Sequence, residues 1–132
     1  MPPQVVSYKN YRCVKMIRNK TGVWGELYAA RWLRDRSYEI LGTNYTCRFG
    51  EIDIIAQKNG TVCFVEVKTR NEKTEIRPAE AVDTGKTARL EAAAKNFVSY
   101  AKIKENLRFD VCEVYVDGND KLKNINYIEN AF

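Results

Sequence analysis

The chain has 132 residues, 45% of them hydrophobic, which is enough for one domain with a buried core and too few for two ordinary domains. It contains no histidine, which excludes Ser-His-Asp and Cys-His catalysis and histidine-ligated zinc, and leaves carboxylates, lysine and a hard metal ion for any chemistry. No apolar run is long enough to span a bilayer and no signal-peptide core stands at the N-terminus, so we expect a cytoplasmic protein.

The net charge of +5 is concentrated in an N-terminal arm, residues 1–20. Five of the 22 lysines and arginines lie in this arm, which holds no acid, so the rest of the chain carries 17 basic and 17 acidic residues. These five residues are Lys9, Arg12, Lys15, Arg18 and Lys20. Such an arm can hold phosphates through counterion release, and a solvated tail is an equally compatible interpretation.

A first helix is predicted from Thr21, as its N-cap, to about Arg36. Its apolar stripe carries a single charge, Glu26, which must meet a cation, a hydrogen-bond donor or a metal-bound water if it is buried. Alternatively, Glu26 lies at the rim of the stripe near the positive helix N-terminus, or pairs with an arginine. The apolar members of the stripe are Val23, Ala29, Ala30 and Leu33.

Three strands are predicted next. Tyr38–Tyr45 forms the first strand, broken near Gly42, and Thr46–Phe49 forms a turn. The apolar runs on either side of Asn59-Gly60 predict a hairpin with a two-residue turn, because both turn residues accept positive φ. We expect one face of the hairpin to carry Ile52, Ile54, Val65 and Val67, and the other face to carry Ile55, Val62 and Phe64. Helices should therefore cover both faces.

The hairpin brings acids together. With a two-residue turn, Asp53 lies opposite Glu66 and Glu51 lies opposite Lys68, and opposed acids repel each other unless a cation neutralises them. Strand alternation places Lys68 on the face of Glu66, so Asp53, Glu66 and Lys68 are expected to converge on one patch. A register shift of one residue would separate them. In the alternative interpretation, Lys68 pairs with Glu51 and the two other acids are solvated strand ends.

The second half begins with a polar loop over Asn71–Arg77 and a short helical turn over Pro78–Val82. A second helix is predicted from Asp83 or Thr84 to about Lys102. Its apolar stripe is Leu90, Ala93, Ala94, Phe97, Val98 and Ala101.

Two cations, Lys86 and Arg89, lie near the start of this helix, where they oppose the helix dipole. They are candidate phosphate contacts; a solvated helix face is the competing interpretation, above all for Arg89. A strand over Arg108–Val116, a turn over residues 117–120 and an edge strand over Leu122–Ile128 follow. The predicted fold is an α/β sandwich around a mixed sheet of about five strands, with two helices.

An acid in one strand followed by Glu-x-Lys in the next suits metal-assisted phosphodiester hydrolysis. Asp53 and Glu66 can share Mg²⁺ or Mn²⁺, with the main-chain carbonyl of Val67 as a further oxygen ligand. Lys68 can orient the attacking water or stabilise the charge that develops on the phosphate. Glu26 can hold a metal-bound water or a second ion.

The same segments resemble the YraN family of small bacterial proteins, which is similar to the archaeal Holliday-junction resolvases of the PD-(D/E)xK nuclease superfamily. The resemblance runs from about Thr21 to the C-terminus, and its most specific blocks are GEIDII and FVEVKTR. The matching residues are Gly25-Glu26, Ala29, Ala30, Asn44, Gly50–Ala56, Phe64–Arg70, Ala81-Val82-Asp83, Lys86, Arg108-Phe109-Asp110 and Ala131-Phe132.

The resemblance implies a restriction-endonuclease-like fold over residues 21–132. It places Glu26, Asp53, Glu66 and Lys68 as the helix acid, the two metal-binding acids and the catalytic lysine. Many members of the family carry glutamine where this chain has Thr87, which concerns a secondary substrate contact. Resolvases act as dimers on branched DNA, so a homodimer is also an expectation.

Together these features predict a metal-dependent DNA endonuclease of resolvase type that acts in DNA repair or recombination. Its expected nucleic-acid contacts are the basic arm with Arg70, Lys86 and Arg89. The alternative is a nucleic-acid-binding module that keeps the nuclease fold without turnover. A plain interaction scaffold is a third interpretation.

Overall fold

The computed structural model of the chain describes residues 20–71 and 84–132. The elements are α1 (Lys20–Asp35), β1 (Glu39–Cys47), β2 (Gly50–Lys58), β3 (Thr61–Asn71), α2 (Thr84–Ala101), β4 (Asn106–Val116) and β5 (Leu122–Ile128). This order of one helix, three strands, one helix and two strands is the predicted order. The first nineteen residues, with most of the basic arm, lie outside the described part. So do the loop and helical turn predicted over residues 71–82, except for Asn71, which ends β3.

The five strands form one mixed sheet in the order β1-β2-β3-β4-β5. β3 and β4 are parallel, and every other neighbouring pair is antiparallel. The predicted α/β architecture, a five-stranded mixed sheet with two helices, is confirmed. So is the prediction that the strand over Leu122–Ile128 lies at the sheet edge.

Each helix packs on its own face of the sheet, as the apolar alternation of the hairpin predicted. The cluster under α2 contains Leu90, Ala93, Ala94 and Phe97 with Ile55, Val62 and Phe64. The cluster under α1 contains Ala29, Ala30 and Leu33 with Ile54, Val65 and Cys112. Neither described helix has the length of apolar sequence that crossing a bilayer requires.

The start of α1 differs from its prediction. Thr21 lies within the helix, so it is not the N-cap. Val23, which we expected in the buried stripe, is 43% exposed. The buried face of α1 runs through Gly25 and Ala29, and at about 100° per residue Val23 lies some 200° around the helix from Gly25. Val23 therefore points away from the sheet.

The predicted β2–β3 hairpin is confirmed, and so is its register from the turn to the pair Ile54↔Val65. Asn59 and Gly60 have φ values of 48° and 77°, and the paired residues run from Lys58↔Thr61 to Ile54↔Val65. The turn before β2 is shorter than predicted, because β1 continues through Cys47. The hairpin therefore has the geometry that its Asn-Gly turn dictates.

The alternation of β2 breaks at Asp53, and the predicted face of Ile52 is therefore wrong. Ile52 lies in the cluster under α2, whereas Ile54 lies in the cluster under α1. In β1, Asn44 adopts a left-handed φ of 55°, between the pairs Thr43↔Ile54 and Tyr45↔Ile52. Both strands change face at this point, and the bend coincides with a candidate metal ligand.

The interior thiols give a first testable prediction. Cys63 and Cys112 are fully buried free cysteines, and burial raises the pKa of each thiol from its ordinary value of 9.0 to about 12. In a Cys13→Ser/Cys47→Ser variant, we expect a thiol reagent at neutral pH to label the two remaining cysteines only after unfolding.

The same pKa shift has a defined effect on stability. Between about pH 9 and pH 12 the unfolded chain loses these protons and the folded chain keeps them, so the free energy of unfolding falls as the pH rises. The slope is at most about 1.4 kcal/mol per pH unit for each thiol. Rapid labelling of both thiols in the folded protein at neutral pH would contradict the burial.

Candidate metal centre

The β2–β3 ladder ends where the candidate ligands begin. A continued ladder would pair Ile52 with Val67, but the Val67 N–H instead donates to Oδ2 of Asp53 at 2.8 Å. The predicted direct pairs, Asp53 with Glu66 and Glu51 with Lys68, are thus not part of the ladder. Because the N–H and C=O of one residue point to the same side of an extended strand, the Val67 carbonyl also points toward β2 and Asp53.

Asp53 and Glu66 nevertheless meet in one cavity of about 300 Å³. The described residues that line it are Gly50, Glu51, Asp53, Glu66, Arg89 and Leu90. Glu66 is only 9% exposed, between the buried Val65 and the half-buried Val67 on β3. Two carboxylates, one of them almost fully buried, therefore share a partly open cavity that Arg89 of α2 also lines.

Gly50 explains how α2 comes close enough to form that wall. A β-carbon built on Gly50 would lie 2.9 Å from the main-chain oxygen of Arg89 and 3.2 Å from its β-carbon. The absence of a side chain thus lets the backbone of α2 approach the start of β2. Arg89 consequently lines the cavity, and its side chain is exposed. Its contact with phosphate stays a prediction.

The donor set fits a hard divalent cation. Carboxylate and carbonyl oxygens are the ligands that Mg²⁺ and Mn²⁺ prefer, and waters commonly complete their coordination. Within residues 20–71 and 84–132, no group of three or more acidic, cysteine or histidine side chains is arranged to hold a metal. An ion here would therefore need the Val67 carbonyl and waters in addition to Asp53 and Glu66.

The other predicted site residues lie around this cavity or across the sheet from it. Lys68 is half-buried and, two residues from Glu66, shares its side of β3. Glu26 is half-buried on α1, which packs on the other face, and it follows Gly25, whose backbone contacts Thr69 next to Lys68. Neither Glu26 nor Lys68 is among the described residues that line the cavity.

Of the remaining predicted nucleic-acid contacts, only Arg70 has a described side chain. Arg70 is half-buried, with Nη2 3.6 Å from Oε2 of Glu113 on β4. Lys20 and Lys86 lie in helices, and their side chains are outside the described part.

Gly25 gives a second prediction, because it sets how closely α1 approaches β3. A β-carbon on Gly25 would overlap the hydroxyl oxygen of Thr69 and lie 3.0 Å from its β-carbon. We expect Gly25→Ala to lower the free energy of unfolding by about 1–3 kcal/mol through overpacking, although alanine favours helix by about 1 kcal/mol.

Chemical denaturation measures this effect. Gly85→Ala, at an exposed helical position of α2, is the matched control and should be neutral or stabilising. Gly25→Ala combined with Thr69→Ala should recover part of the loss, since the overlapping hydroxyl is gone. An unchanged or raised stability of Gly25→Ala alone would contradict the close contact.

A fully buried acid outside the predicted site lies under α1, on the face opposite the cavity. Asp110, on β4, is 0% exposed and accepts hydrogen bonds from Arg108 Nε at 2.9 Å, Tyr127 Oη at 2.6 Å and the Asn130 N–H at 3.0 Å. Arg108 also donates to Tyr38 Oη at 2.8 Å.

The pKa shifts around Asp110 favour the protonated forms of Arg108 and Tyr127, which are the forms that donate these hydrogen bonds. The hydrogen bond to Asp110 raises the pKa of Arg108, and burial followed by the hydrogen bond to Asp110 raises that of Tyr127. Asp110 is therefore a structural acid. The available sequence signal was the spacing of Arg108 and Asp110, which places both side chains on one face of a strand.

Comparison with known proteins places the chain in a family. The model described as "Uncharacterised protein family UPF0102" matches residues 25–114, from the α1–β3 contact through most of β4. The chain belongs to the UPF0102 family. The matched range includes the carboxylate cavity, Lys68 and Glu26.

Curated UPF0102 proteins are similar over most of the chain. The protein from Caldicellulosiruptor bescii is 42% identical over 115 residues, covering 86% of this chain and 97% of the relative. The protein from Alkaliphilus oremlandii is 42% identical over 119 residues, covering 88% of this chain and 100% of the relative. The protein from Clostridium acetobutylicum is 38% identical over 117 residues, covering 88% and 96%.

Proposed function

We propose that this UPF0102 protein is a metal-dependent DNA endonuclease of Holliday-junction-resolvase type. The observation that carries the proposal is the shared cavity of Asp53 and Glu66, with Arg89 in its wall. The resemblance of the GEIDII and FVEVKTR segments to the YraN family and the resolvases supports it. The proposed roles are DNA repair or recombination in the cytoplasm.

Mg²⁺ or Mn²⁺ is the proposed cofactor. Asp53, Glu66 and the carbonyl of Val67 are its proposed direct ligands, and Glu26 is a proposed contact through water. A bound divalent ion acidifies a coordinated water and offsets the negative charge that grows on the phosphate oxygens. Asp53 is oriented for this role by the Val67 N–H, which holds one of its carboxylate oxygens.

Lys68 and Arg89 supply the positive charges that act on the substrate. The ammonium group of Lys68 is proposed to orient the attacking water or stabilise the developing charge from the Glu66 side of β3. Arg89 is proposed to hold the phosphate from the opposite wall, because a guanidinium group binds two phosphate oxygens at once. Arg70, Lys86 and the basic arm are proposed to bind the flanking backbone.

Branched or duplex DNA is the proposed partner, and a homodimer is the proposed assembly. Two active sites in one dimer would allow paired cuts on a four-way junction.

Metal binding can be tested without measuring cleavage. A ligand that binds only the folded state at 100 times its dissociation constant adds about 2.7 kcal/mol to stability. We expect Mn²⁺ to raise the melting temperature of the wild type and of Glu39→Gln, which removes an exposed acid at the far end of β1. Glu66→Gln should lose this response.

Cleavage is tested with labelled duplex, flap and four-way DNA, with Mg²⁺ or Mn²⁺ and with a chelator. Metal-dependent cutting that is strongest on branched DNA is the expected result. Binding without cutting on every substrate would favour the non-catalytic nucleic-acid-binding module. Equal Mn²⁺ responses of wild type and Glu66→Gln would overturn the metal assignment.

A further inference from the structure

Three strands carry a regular grid of side chains that begins at Glu66 and continues away from the cavity. The parallel register pairs Glu66, Lys68 and Arg70 of β3 with Val111, Glu113 and Tyr115 of β4. The antiparallel register pairs the same β4 residues with Ile128, Asn126 and Asn124 of β5. All nine side chains lie on the α2 side of the sheet, in three rows across three strands.

The outer two rows lie beyond the part of the sheet that α2 covers. α2 packs on β1 and β2 and reaches β3 through Phe97, which contacts Phe64 at a centroid distance of 6.2 Å. In the described part of the chain, no helix packs over the rows of Lys68 and Arg70. Those two rows extend about 7 Å along the strands and about 10 Å across them.

The side chains of these rows hold one another in place. Glu113 accepts hydrogen bonds from Asn126 Nδ2 at 2.9 Å and from Tyr115 Oη at 3.3 Å, and it forms the ion pair with Arg70. The carboxylate of Glu113 thus interacts with neighbours within the grid. Lys68 adds a second positive charge beside that of Arg70. Asn124 and Asn126 are exposed on the edge strand, and the half-buried Tyr115 supplies an aromatic ring.

This chemistry matches single-stranded nucleic acid better than a duplex. Aromatic rings on an open sheet stack on unpaired bases, amide side chains bond to base edges, and arginine and lysine hold the backbone. A duplex buries its base faces in its own stack and offers a ring such as Tyr115 nothing to stack on.

We propose that the rows Lys68–Glu113–Asn126 and Arg70–Tyr115–Asn124 bind unpaired nucleotides that continue from the phosphate held at the carboxylate cavity. The proposal rests on the proposed function for that continuity. It assigns a substrate class to the site, namely DNA with a single-stranded segment next to the cut, such as a flap or an open junction arm.

Fluorescence anisotropy with labelled oligothymidylate and a labelled duplex, both in a chelator, tests the platform without any cleavage. We expect Tyr115→Ala to raise the dissociation constant for the single strand about tenfold, with little change for the duplex. Tyr115→Phe keeps the ring and should restore most of the affinity. Tyr100→Ala removes a tyrosine that is 53% exposed near the end of α2, and it is the matched control.

A second variant guards against a folding defect in Tyr115→Ala. Asn124→Asp adds a carboxylate at an exposed edge position in the row of Tyr115, and it should weaken single-strand binding several-fold. Single-strand affinities of Tyr115→Ala and Asn124→Asp equal to that of Tyr100→Ala would overturn the proposal. Equal losses on single strand and duplex would also overturn it.

The two proposals fail in different ways. Metal-dependent cutting by the wild type, with single-strand binding that does not depend on Tyr115, would overturn the platform alone. Tyr115-dependent binding by a wild type that cuts no DNA would overturn the endonuclease and keep the platform.

Discussion

Asp53→Asn is expected to reduce metal-dependent cleavage at least a hundredfold while leaving the protein folded. The carboxylate is a proposed direct metal ligand, and a bound metal contributes several kcal/mol of transition-state stabilisation, with each 1.4 kcal/mol worth a factor of ten. Asparagine keeps the carbonyl oxygen that can accept the hydrogen bond of the Val67 N–H. Initial rates on labelled flap and four-way DNA, at saturating Mn²⁺, measure the effect.

Removing either carboxylate should not lower the stability of the metal-free protein. Asp53 and Glu66 are like charges in one cavity, so Asp53→Asn or Glu66→Gln removes repulsion, and each should melt at the same or a higher temperature without metal. Lys68→Ala should also lose cleavage, with Lys104→Ala, an exposed lysine before β4, as its control. Full activity of both Asp53→Asn and Lys68→Ala would remove the catalytic assignment.

Asp110→Ala is expected to lower the free energy of unfolding by about 3–5 kcal/mol. The change leaves the guanidinium group of Arg108, which is 19% exposed, without its three hydrogen bonds of 2.9–3.1 Å to the carboxylate. It also removes the acceptor for Tyr127 Oη and the Asn130 N–H. Urea titration followed by circular dichroism measures the loss.

A substitution of a surface acid serves as the control, because it removes a negative charge without removing the hydrogen bonds of Asp110. Asp35→Ala, at the exposed end of α1, removes the same charge and should change stability by less than about 0.5 kcal/mol. Asp110→Ala within that range would show that the buried cluster contributes nothing to stability. Any cleavage by folded Asp110→Ala should match wild type, because Asp110 lies on the face opposite the cavity.

The sequence predicted the architecture closely because local rules and tertiary packing agree in this chain. Asn59-Gly60 specified both the turn and the register, and apolar alternation identified two covered faces. The two carboxylates were predicted to meet, and they line one cavity. These features depend on residues close in sequence, where turn chemistry and strand period are decisive.

The details that the sequence missed depend on contacts between distant residues. The coupled bend at Asn44 and Asp53 reversed the face of Ile52, and nothing in the alternation of β2 indicates it. The close contact of Gly25 with Thr69 joins α1 to β3, and the pattern of α1 does not indicate it. The position of Arg89 depends on Gly50, which lies far away in the chain.

The parallel pairing of β3 with β4 has a kinetic consequence. The hairpin closes over two residues, whereas Thr61 meets Asn106 only after the chain has passed through α2, and longer loops cost more entropy to close. Non-local strand pairing slows folding, so we expect the hairpin to form early and β4 with β5 to join it afterwards. A nascent chain would then bring the two acids together before β4 and β5 have docked beside β3.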